Sequence, residues 1–200
     1  MDLLCSFCCG RLRKIRGVPL LERVKKIDHN SLPWIQDRMQ TERMDRFFKA
    51  YTATGDSGKL MIGTTAAFLL FKKTRTAGLT AGLALANEAI LTNLIIKPIF
   101  KRDRPWITLE DFDPLIFEDD PNSFPSGHTG AAFSVAMAVV RTFTRRWCKF
   151  VGMILATLMG FSRMYVGVHF LSDVTVGAVI GVISGLSADR MVKMIAAKKK

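Results

Sequence analysis

The stretch Phe124-Pro125-Ser126-Gly127-His128-Thr129 joins a polar, charge-dense loop to an apolar block that runs to about residue 143. Pro125 suits the first turn of a helix, where its missing N–H costs nothing. Ser126 and Gly127 at a helix start leave backbone N–H groups unpaired, and the helix dipole favours an anion there. His128 stands beside this site and titrates near neutral pH. Alone, the stretch is also compatible with a simple capping turn, so its meaning depends on its neighbours.

The composition around this stretch is typical of a membrane protein. Of 200 residues, 49% are hydrophobic, and 29 Lys and Arg outnumber 17 Asp and Glu. A nucleic-acid-binding protein can have this charge balance, but its basic residues would be spread along helix faces. Here the basic residues flank long apolar blocks, as they do at membrane interfaces. We therefore predict a membrane as partner, and no nucleic acid.

Five apolar blocks predict an all-α integral membrane bundle with about five transmembrane helices. No block has the strict alternation of a membrane β-barrel strand. The second block is rich in Gly and Ala, which suits close helix packing, and Glu88 and Asn93 within it are expected to face the bundle interior. The blocks are residues 58–71, 76–96, 124–143, 148–164 and 169–188.

Composition divides the chain into three parts. Residues 1–57 carry basic residues too often to span a membrane, and their apolar residues recur at helical spacing. We predict amphipathic helices lying on the membrane surface, with a break near Pro33; packing of these helices on the bundle is the alternative. Residues 58–190 form the predicted transmembrane catalytic domain, and residues 191–200 form a basic C-terminal tail.

The charges of the loops predict an orientation. Short basic loops and the basic C-terminus share one face of a five-span bundle, and the positive-inside rule makes that face cytoplasmic. The opposite, extracytoplasmic face receives residues 97–123 and 164–169, which hold most of the candidate chemistry. Five spans would also place the basic region 1–57 on the outer face, against the rule. Either this region lies flat in the interface, or the first block does not cross.

A basic segment precedes the opening stretch. Lys97-Pro-Ile-Phe-Lys-Arg-Asp-Arg104-Pro105 has four cations in its first eight residues. Arg104 offers a planar fork for two phosphate oxygens, and Lys97 offers a compact point charge. Taken alone, a solvated, positively charged helix end is the alternative.

A second segment follows the opening stretch, with Ser162-Arg163, His169 and Asp173. His169 and Asp173 are four residues apart at the start of an apolar helix, and therefore lie on one face. A carboxylate there holds one ring nitrogen of the imidazole and leaves the other free to attack. Two histidines among cations suit phosphoryl transfer, in which one histidine is the nucleophile and the other protonates the leaving oxygen.

These segments fit K-x₆-R-P, P-S-G-H and S-R-x₅-H-x₃-D. In this order and spacing they resemble the signature of the type 2 phosphatidic acid phosphatase (PAP2) family, which shares its core with vanadium haloperoxidases. Each motif is weak alone, but the ordered set is specific. The resemblance covers about residues 45–190, with no departure at the signature positions. Many family members carry an additional leading membrane helix, whose place is taken here by the polar region 1–57.

The resemblance implies a role for each matching residue. His169 attacks phosphorus and forms a phosphohistidine, with Asp173 as its orienting carboxylate. His128 is the general acid for the leaving group and then activates water. The residues that bind the phosphate oxygens are Lys97, Arg104, Ser126, Gly127 and Arg163. No metal or other cofactor is implied, because these cations and dipoles neutralise the developing charge.

Two other clusters resemble metal sites, but we expect neither to be one. Acidic residues are dense between Glu110 and Asp120, and we expect them to form a solvated loop. Cys5, Cys8 and Cys9 lack a matching C-x-x-C partner pair. They suit either acylation beside basic residues or small interfacial hydrophobic contacts. His29 lies outside every motif and is predicted to be a surface residue.

The implied function is hydrolysis of a lipid phosphate or diphosphate headgroup near the outer surface of a bacterial plasma membrane. The expected substrate is a polyprenyl diphosphate such as undecaprenyl diphosphate. The alternatives are phosphatidic acid, phosphatidylglycerophosphate, or a lipid phosphotransferase on the same scaffold. A non-enzymatic scaffold is disfavoured because His128, Arg163 and His169 are all present. A vanadate-dependent peroxidase is disfavoured by the short chain and the membrane helices.

Overall fold

The computed structural model describes residues 19–198, and the cysteine cluster of the first ten residues lies outside this range. Within it the chain is α-helical; an isolated bridge between Asp103 and Asn122 is the one β-type pairing of the described residues. The predicted all-α class is therefore confirmed. The helices are α1 (Pro19–Met39), α2 (Glu42–Ala53), α3 (Lys59–Leu70), α4 (Arg75–Ala89), α5 (Lys97–Phe100), α6 (Pro105–Thr108), α7 (Gly127–Thr142), α8 (Arg146–Tyr165) and α9 (Leu171–Ala197).

All five apolar blocks are helical, and two of the resulting helices are long and apolar enough to cross a membrane. These are Arg75–Phe100, in which α4 continues through a π-helical segment into α5, and α9. Only 28% and 39% of their most apolar stretches are buried in the protein, which leaves apolar surface for lipid. Helix α3 has 12 residues and would reach about 18 Å, short of the bilayer core. The number of five spans stays a prediction.

Helix α7 lies at the centre of the bundle and packs against α4, α8 and α9. The contact with α9 is close because Gly177, Gly181 and Gly185 recur at every fourth position on the face of α9 that meets α7. A Cβ atom at Gly181 would lie 2.3 Å from the backbone oxygen of Gly130. The absence of side chains on this face therefore determines how near the two helices come.

We expect Gly181→Ala to lower the free energy of unfolding by about 1–3 kcal/mol, because the added methyl group overpacks the α7–α9 contact. Thermal unfolding of the purified protein in detergent measures this change. The matched control is Gly63→Ala, where an added Cβ meets no atom within 4 Å and helix propensity favours Ala. Equal stability of the two variants would contradict the close packing of α7 and α9.

Helix α1 is continuous from Pro19 to Met39, so the predicted break near Pro33 is wrong. A proline inside a helix removes one backbone hydrogen bond. The helix nevertheless continues because Leu32 and Ile35, on either side of Pro33, are almost fully buried in a hydrophobic cluster. The chain breaks instead at Gln40 and Thr41, before α2.

The N-terminal helices share a core with the rest of the protein. Leu32 and Ile35 of α1 and Phe48 of α2 pack in one cluster with Tyr165 and Phe170. Their opposite sides leave apolar side chains exposed, among them Leu20, Ile27, Trp34 and Phe47. Residues 19–57 therefore pack on the bundle with one side and expose apolar side chains on the other. At the other end of the chain, α9 continues beyond residue 190 as one helix to Ala197.

Candidate active site

The predicted site residues meet at one end of the bundle, where α7 and α9 begin and α8 ends. A cavity of about 370 Å³ opens there. Five of the eight predicted residues line it: Lys97, Arg104, Gly127, His128 and His169. The other three, Ser126, Arg163 and Asp173, are buried. Arg163 and Asp173 each lie beside a residue that lines the cavity, and Ser126 directly precedes one.

His169 lies in the short loop between α8 and α9 and is 2% exposed. Its Nδ1 is 3.7 Å from Oδ2 of Asp173, longer than a hydrogen bond, as is common before a substrate tightens a site. Burial, and then the charges of Arg163, Arg104 and Lys97, hold the pKa of His169 well below its ordinary value. The imidazole is therefore neutral at neutral pH and keeps the lone pair that a nucleophile requires.

Asp173 is held in place from several directions. Its Oδ1 accepts a hydrogen bond from Nη1 of Arg102 at 2.7 Å, and its Oδ2 accepts one from the backbone N–H of Phe170 at 2.9 Å. Its backbone carbonyl accepts the N–H of Ser126 at 3.1 Å. This last bond joins the turn before α7 to the first turn of α9, and so fixes the two halves of the site to each other.

Two buried arginines stand around His169. Arg104 donates from Nε to the carbonyl of Asp120 at 2.6 Å and from Nη1 to the carbonyl of Val168 at 3.0 Å. Arg163, in the last turn of α8, donates from Nη1 to Oγ1 of Thr52 at 2.6 Å. Because each fork is fixed by protein oxygens, an arriving phosphate meets cations that are already oriented.

The turn before α7 presents its backbone to the cavity more than its serine side chain. Gly127 lines the cavity. Ser126 is fully buried, and its Oγ accepts a hydrogen bond from Oγ1 of Thr129 at 2.9 Å. His128, next along the chain, lines the cavity and has its Nε2 3.4 Å from Oδ1 of Asp56.

Two acidic residues of the loop before α7 are part of the site, so the expectation that the whole acidic segment is solvated is wrong for them. Glu118 pairs with Nη2 of Arg163, and Oδ2 of Asp120 lies 2.5 Å from Nζ of Lys97. Burial opposes ionisation of both carboxyls. The pairing with Arg163 outweighs it for Glu118, and the hydrogen bond from Lys97 outweighs it for Asp120, so both pKa values lie below their ordinary range. Buried cations need counter-charges, and this requirement is the signal from which the pairing could have been predicted.

The turn between α2 and α3 also contributes, although its residues lie in the region predicted to be interfacial. Gly55 packs so closely on the ring of His128 that a Cβ atom there would lie 2.8 Å from Cδ2 of the imidazole. Ligand atoms of Asp56, Glu118 and His128 lie within 4.8 Å of one another, a spacing compatible with a metal ion. Glu118 is already neutralised by Arg163, so charge pairing accounts for the cluster.

The second apolar block adds two polar residues near the site. Glu88 is buried, as predicted, and accepts a hydrogen bond from Oγ1 of Thr92 at 2.7 Å. Asn93 lies in the π-helical segment Ile90–Ile96. It lines the cavity, whereas the prediction placed it in the bundle interior. The extra residue per turn of a π-helix rotates the following side chains, which is one reason such segments occur at functional sites.

Residues 77–196 match the family model described as the PAP2 superfamily. The chain belongs to this superfamily. All eight predicted site residues fall inside the matched PAP2 region, whereas α1, α2 and Asp56 precede it.

Relatives of the chain include several named lipid phosphatases. It is 32% identical over 120 residues to an undecaprenyl-diphosphatase of Sulfolobus acidocaldarius, over 60% of this chain and 57% of that protein. It is 31% identical to a lipid A 4'-phosphatase of Porphyromonas gingivalis, over 59% of this chain and 53% of that protein. It is 32% identical to phosphatidylglycerophosphatase B of Bacillus subtilis, over 62% of both. The chain thus spans about half to three-fifths of the length of these relatives.

Solved structures share the PAP2 fold. The crystal structure of Aquifex aeolicus LpxE superposes with a TM-score of 0.70 at 31% identity, over 87% of this chain and 97% of that one. A transmembrane PAP2 type phosphatidylglycerolphosphate phosphatase from Bacillus subtilis superposes with a TM-score of 0.66 at 23% identity, over 92% and 90%. The second likeness concerns the fold alone.

Proposed function

We propose that this PAP2 protein is a membrane lipid phosphatase that works through a phosphohistidine on His169. The observation that supports the proposal is the environment of His169. Its buried imidazole is neutral at neutral pH and lines the same cavity as Lys97 and Arg104. A third cation, Arg163, lies directly behind Glu118, a carboxylate that lines the cavity. A neutral nucleophile surrounded by fixed positive charge is suited to a phosphate, whose charge increases on the equatorial oxygens during transfer.

In the first half of the proposed reaction, Nε2 of His169 attacks phosphorus while the bond from phosphorus to the lipid oxygen breaks. Nε2 is the attacking atom because Nδ1 faces Asp173, whose carboxylate stabilises the positive charge that forms on the ring. His128 donates a proton to the leaving oxygen. Oδ1 of Asp56 lies 3.4 Å from Nε2 of His128, where it can orient the ring.

In the second half, a water molecule attacks the phosphohistidine and the bond between phosphorus and nitrogen breaks. His128, neutral after the first half, accepts the proton of that water. Inorganic phosphate leaves, and both histidines return to their starting protonation states. Lys97 and Arg104, which line the cavity, hold the phosphate oxygens in both halves, with the Gly127 backbone at the start of α7. Arg163 adds positive charge from behind Glu118.

An apolar groove beside the site supports a lipid substrate. It has a volume of about 270 Å³ and lies between α3, α7 and α8. Its lining includes Phe68, Val139 and Trp147, and Met61 lines both this groove and the cavity that holds His169. A headgroup bound at His169 would therefore have an apolar surface next to it for its chain.

For the substrate we favour a polyprenyl diphosphate, because several relatives are named undecaprenyl-diphosphatase. Relatives named lipid A phosphatase and phosphatidylglycerophosphatase keep other lipid phosphates as alternatives. We propose an extracytoplasmic site, since the basic turns at Lys72 and Arg145 lie at the end of the bundle opposite His169. The exposed apolar side of α1 and α2 would then rest in the membrane interface.

The decisive experiment is a phosphate-release panel on the purified full-length protein in detergent. The substrates are undecaprenyl diphosphate, phosphatidylglycerophosphate, phosphatidic acid and lipid A, and the inactive control is His169→Gln. We expect release from at least one lipid, fastest from the diphosphate, and none above background from the control. No release from any of the four, or transfer of labelled phosphate to a second lipid without free phosphate, would overturn the proposal.

A further inference from the structure

Asp28 of α1 is a buried carboxylate outside the segment that matches the PAP2 family. It is 1% exposed, and it accepts three hydrogen bonds. The donors are Nη2 of Arg102 at 2.8 Å, the backbone N–H of Ser172 at 2.9 Å and Oγ of Ser172 at 2.5 Å. Burying a carboxylate costs several kcal/mol unless it is paired and hydrogen-bonded. The fold therefore provides a complete set of donors for this one side chain.

Arg102 links Asp28 to the active site. Its Nη1 donates to Oδ1 of Asp173 at 2.7 Å and to Oγ of Ser172 at 2.6 Å, while its Nη2 donates to Asp28. Its guanidinium also lies over the ring of Phe170, 4.2 Å from the centroid. One planar cation thus bridges two buried carboxylates, a geometry that a lysine cannot reproduce.

The far end of this bridge determines how Asp173 faces the nucleophile. With Oδ1 held by Arg102, Oδ2 points to the N–H of Phe170 and to Nδ1 of His169. Without Arg102, Oδ1 of Asp173 loses the charged contact that holds it, and the N–H of Phe170 still holds Oδ2. Without Asp28, Arg102 loses the contact that holds its second nitrogen.

We infer that Asp28 and Arg102 are positioning residues for the nucleophile, acting on His169 through Asp173, so that α1 is part of the catalytic machinery. The inference rests on the proposed function and adds to it two residues that lie outside the lining of the phosphate cavity. It explains why an N-terminal helix outside the family match is packed against the loop that carries His169. It also predicts a loss in kcat rather than in KM, because Lys97 and Arg104 keep their places.

The first test is Asp28→Asn, which keeps the shape of the side chain and removes its charge. We expect kcat to fall by about 10- to 100-fold, as for a small misplacement of a reacting group, with little change in KM. Formation of the phosphoenzyme in single-turnover experiments should slow by the same factor. The matched control is Asp37→Asn, a change on the exposed side of the same helix, for which we expect unchanged kinetics.

A double variant distinguishes a positioning role of Asp28 from a general loss of stability. In an Asp173→Asn background, Asp28→Asn should cause no further loss of kcat, because its effect passes through Asp173. Fully additive losses would overturn the inference. Arg102→Lys gives a second variant should Asp28→Asn fail to fold, and it should show the same selective loss of kcat, since a point charge reaches only one of the two carboxylates.

The outcomes distinguish this inference from the proposed function. If the wild-type protein releases phosphate but Asp28→Asn and Arg102→Lys retain full kcat, the inference alone fails. A loss confined to KM in both variants overturns it equally. If the wild-type protein is inactive on every lipid of the panel, the proposed function itself fails.

Discussion

Replacing His169 with Gln should lower phosphate release by at least about 10⁴-fold, the scale seen when a nucleophile that works as part of a group is removed. The amide of Gln resembles the imidazole in size but cannot form a stable bond to phosphorus. The other groups of the site remain, so substrate binding should persist. With a labelled diphosphate substrate, the wild-type protein should trap label on the chain and the variant should trap none. The quench must be alkaline, because phosphohistidine is hydrolysed in acid.

The folded state of this variant has to be checked, because His169 is buried at the centre of the site. Thermal unfolding and size-exclusion elution in detergent should match the wild-type protein. Inorganic phosphate should stabilise both proteins against heat by a similar amount, because Lys97, Arg104 and Arg163 are unchanged. Label trapped on a folded His169→Gln protein would show that another residue is the nucleophile.

Replacing His128 with Gln should have an effect that depends on the leaving group. A lipid alcohol or a lipid phosphate needs a proton as it departs, and general acid catalysis contributes about 10²- to 10⁴-fold. The loss on lipid substrates should therefore fall in that range. p-Nitrophenyl phosphate has a leaving group that departs without a proton, so the variant should still release one equivalent of nitrophenol in a rapid burst. Stopped-flow absorbance measures the burst directly.

The steady state after the burst tests the second role of His128. Because the same residue is proposed to accept the proton of the attacking water, the phosphoenzyme should accumulate in His128→Gln and turn over slowly. A nucleophile such as hydroxylamine, which does not need that base, should restore part of the turnover. An equal loss of burst and steady state on both substrate types would contradict the role of His128 as a proton donor.

The helical class follows from local patterns, and so it can be predicted from the sequence. Long apolar blocks bounded by basic residues each became a helix in the expected place. The break near Pro33 was predicted wrongly because the local cost of a proline favours a break. The burial of Leu32 and Ile35, which keeps the helix continuous, is visible only in the packed structure. Tertiary packing overrides a local preference whenever the buried apolar area is large enough.

The residues of the site also divide into those that the sequence predicts and those that it does not. Residue types in ordered motifs pointed to His128, His169 and their cations, since phosphoryl transfer needs a nucleophile, an acid and fixed positive charge. The carboxylates that pair with those cations could not be assigned in this way. Glu118 and Asp120 lie in a segment with several acidic residues, and composition does not say which of them turn inward.

The helical membrane bundle and the residues proposed to act on phosphorus can therefore be predicted from the sequence, because both depend on patterns within short segments. Which charged side chains pair with each other depends on the packing of the folded protein. Arg102 bridges Asp28 and Asp173, which are separated from it by 74 and 71 positions in the chain. A buried ion pair depends on how whole helices pack, and the pairing of distant side chains produces no periodic pattern in the sequence.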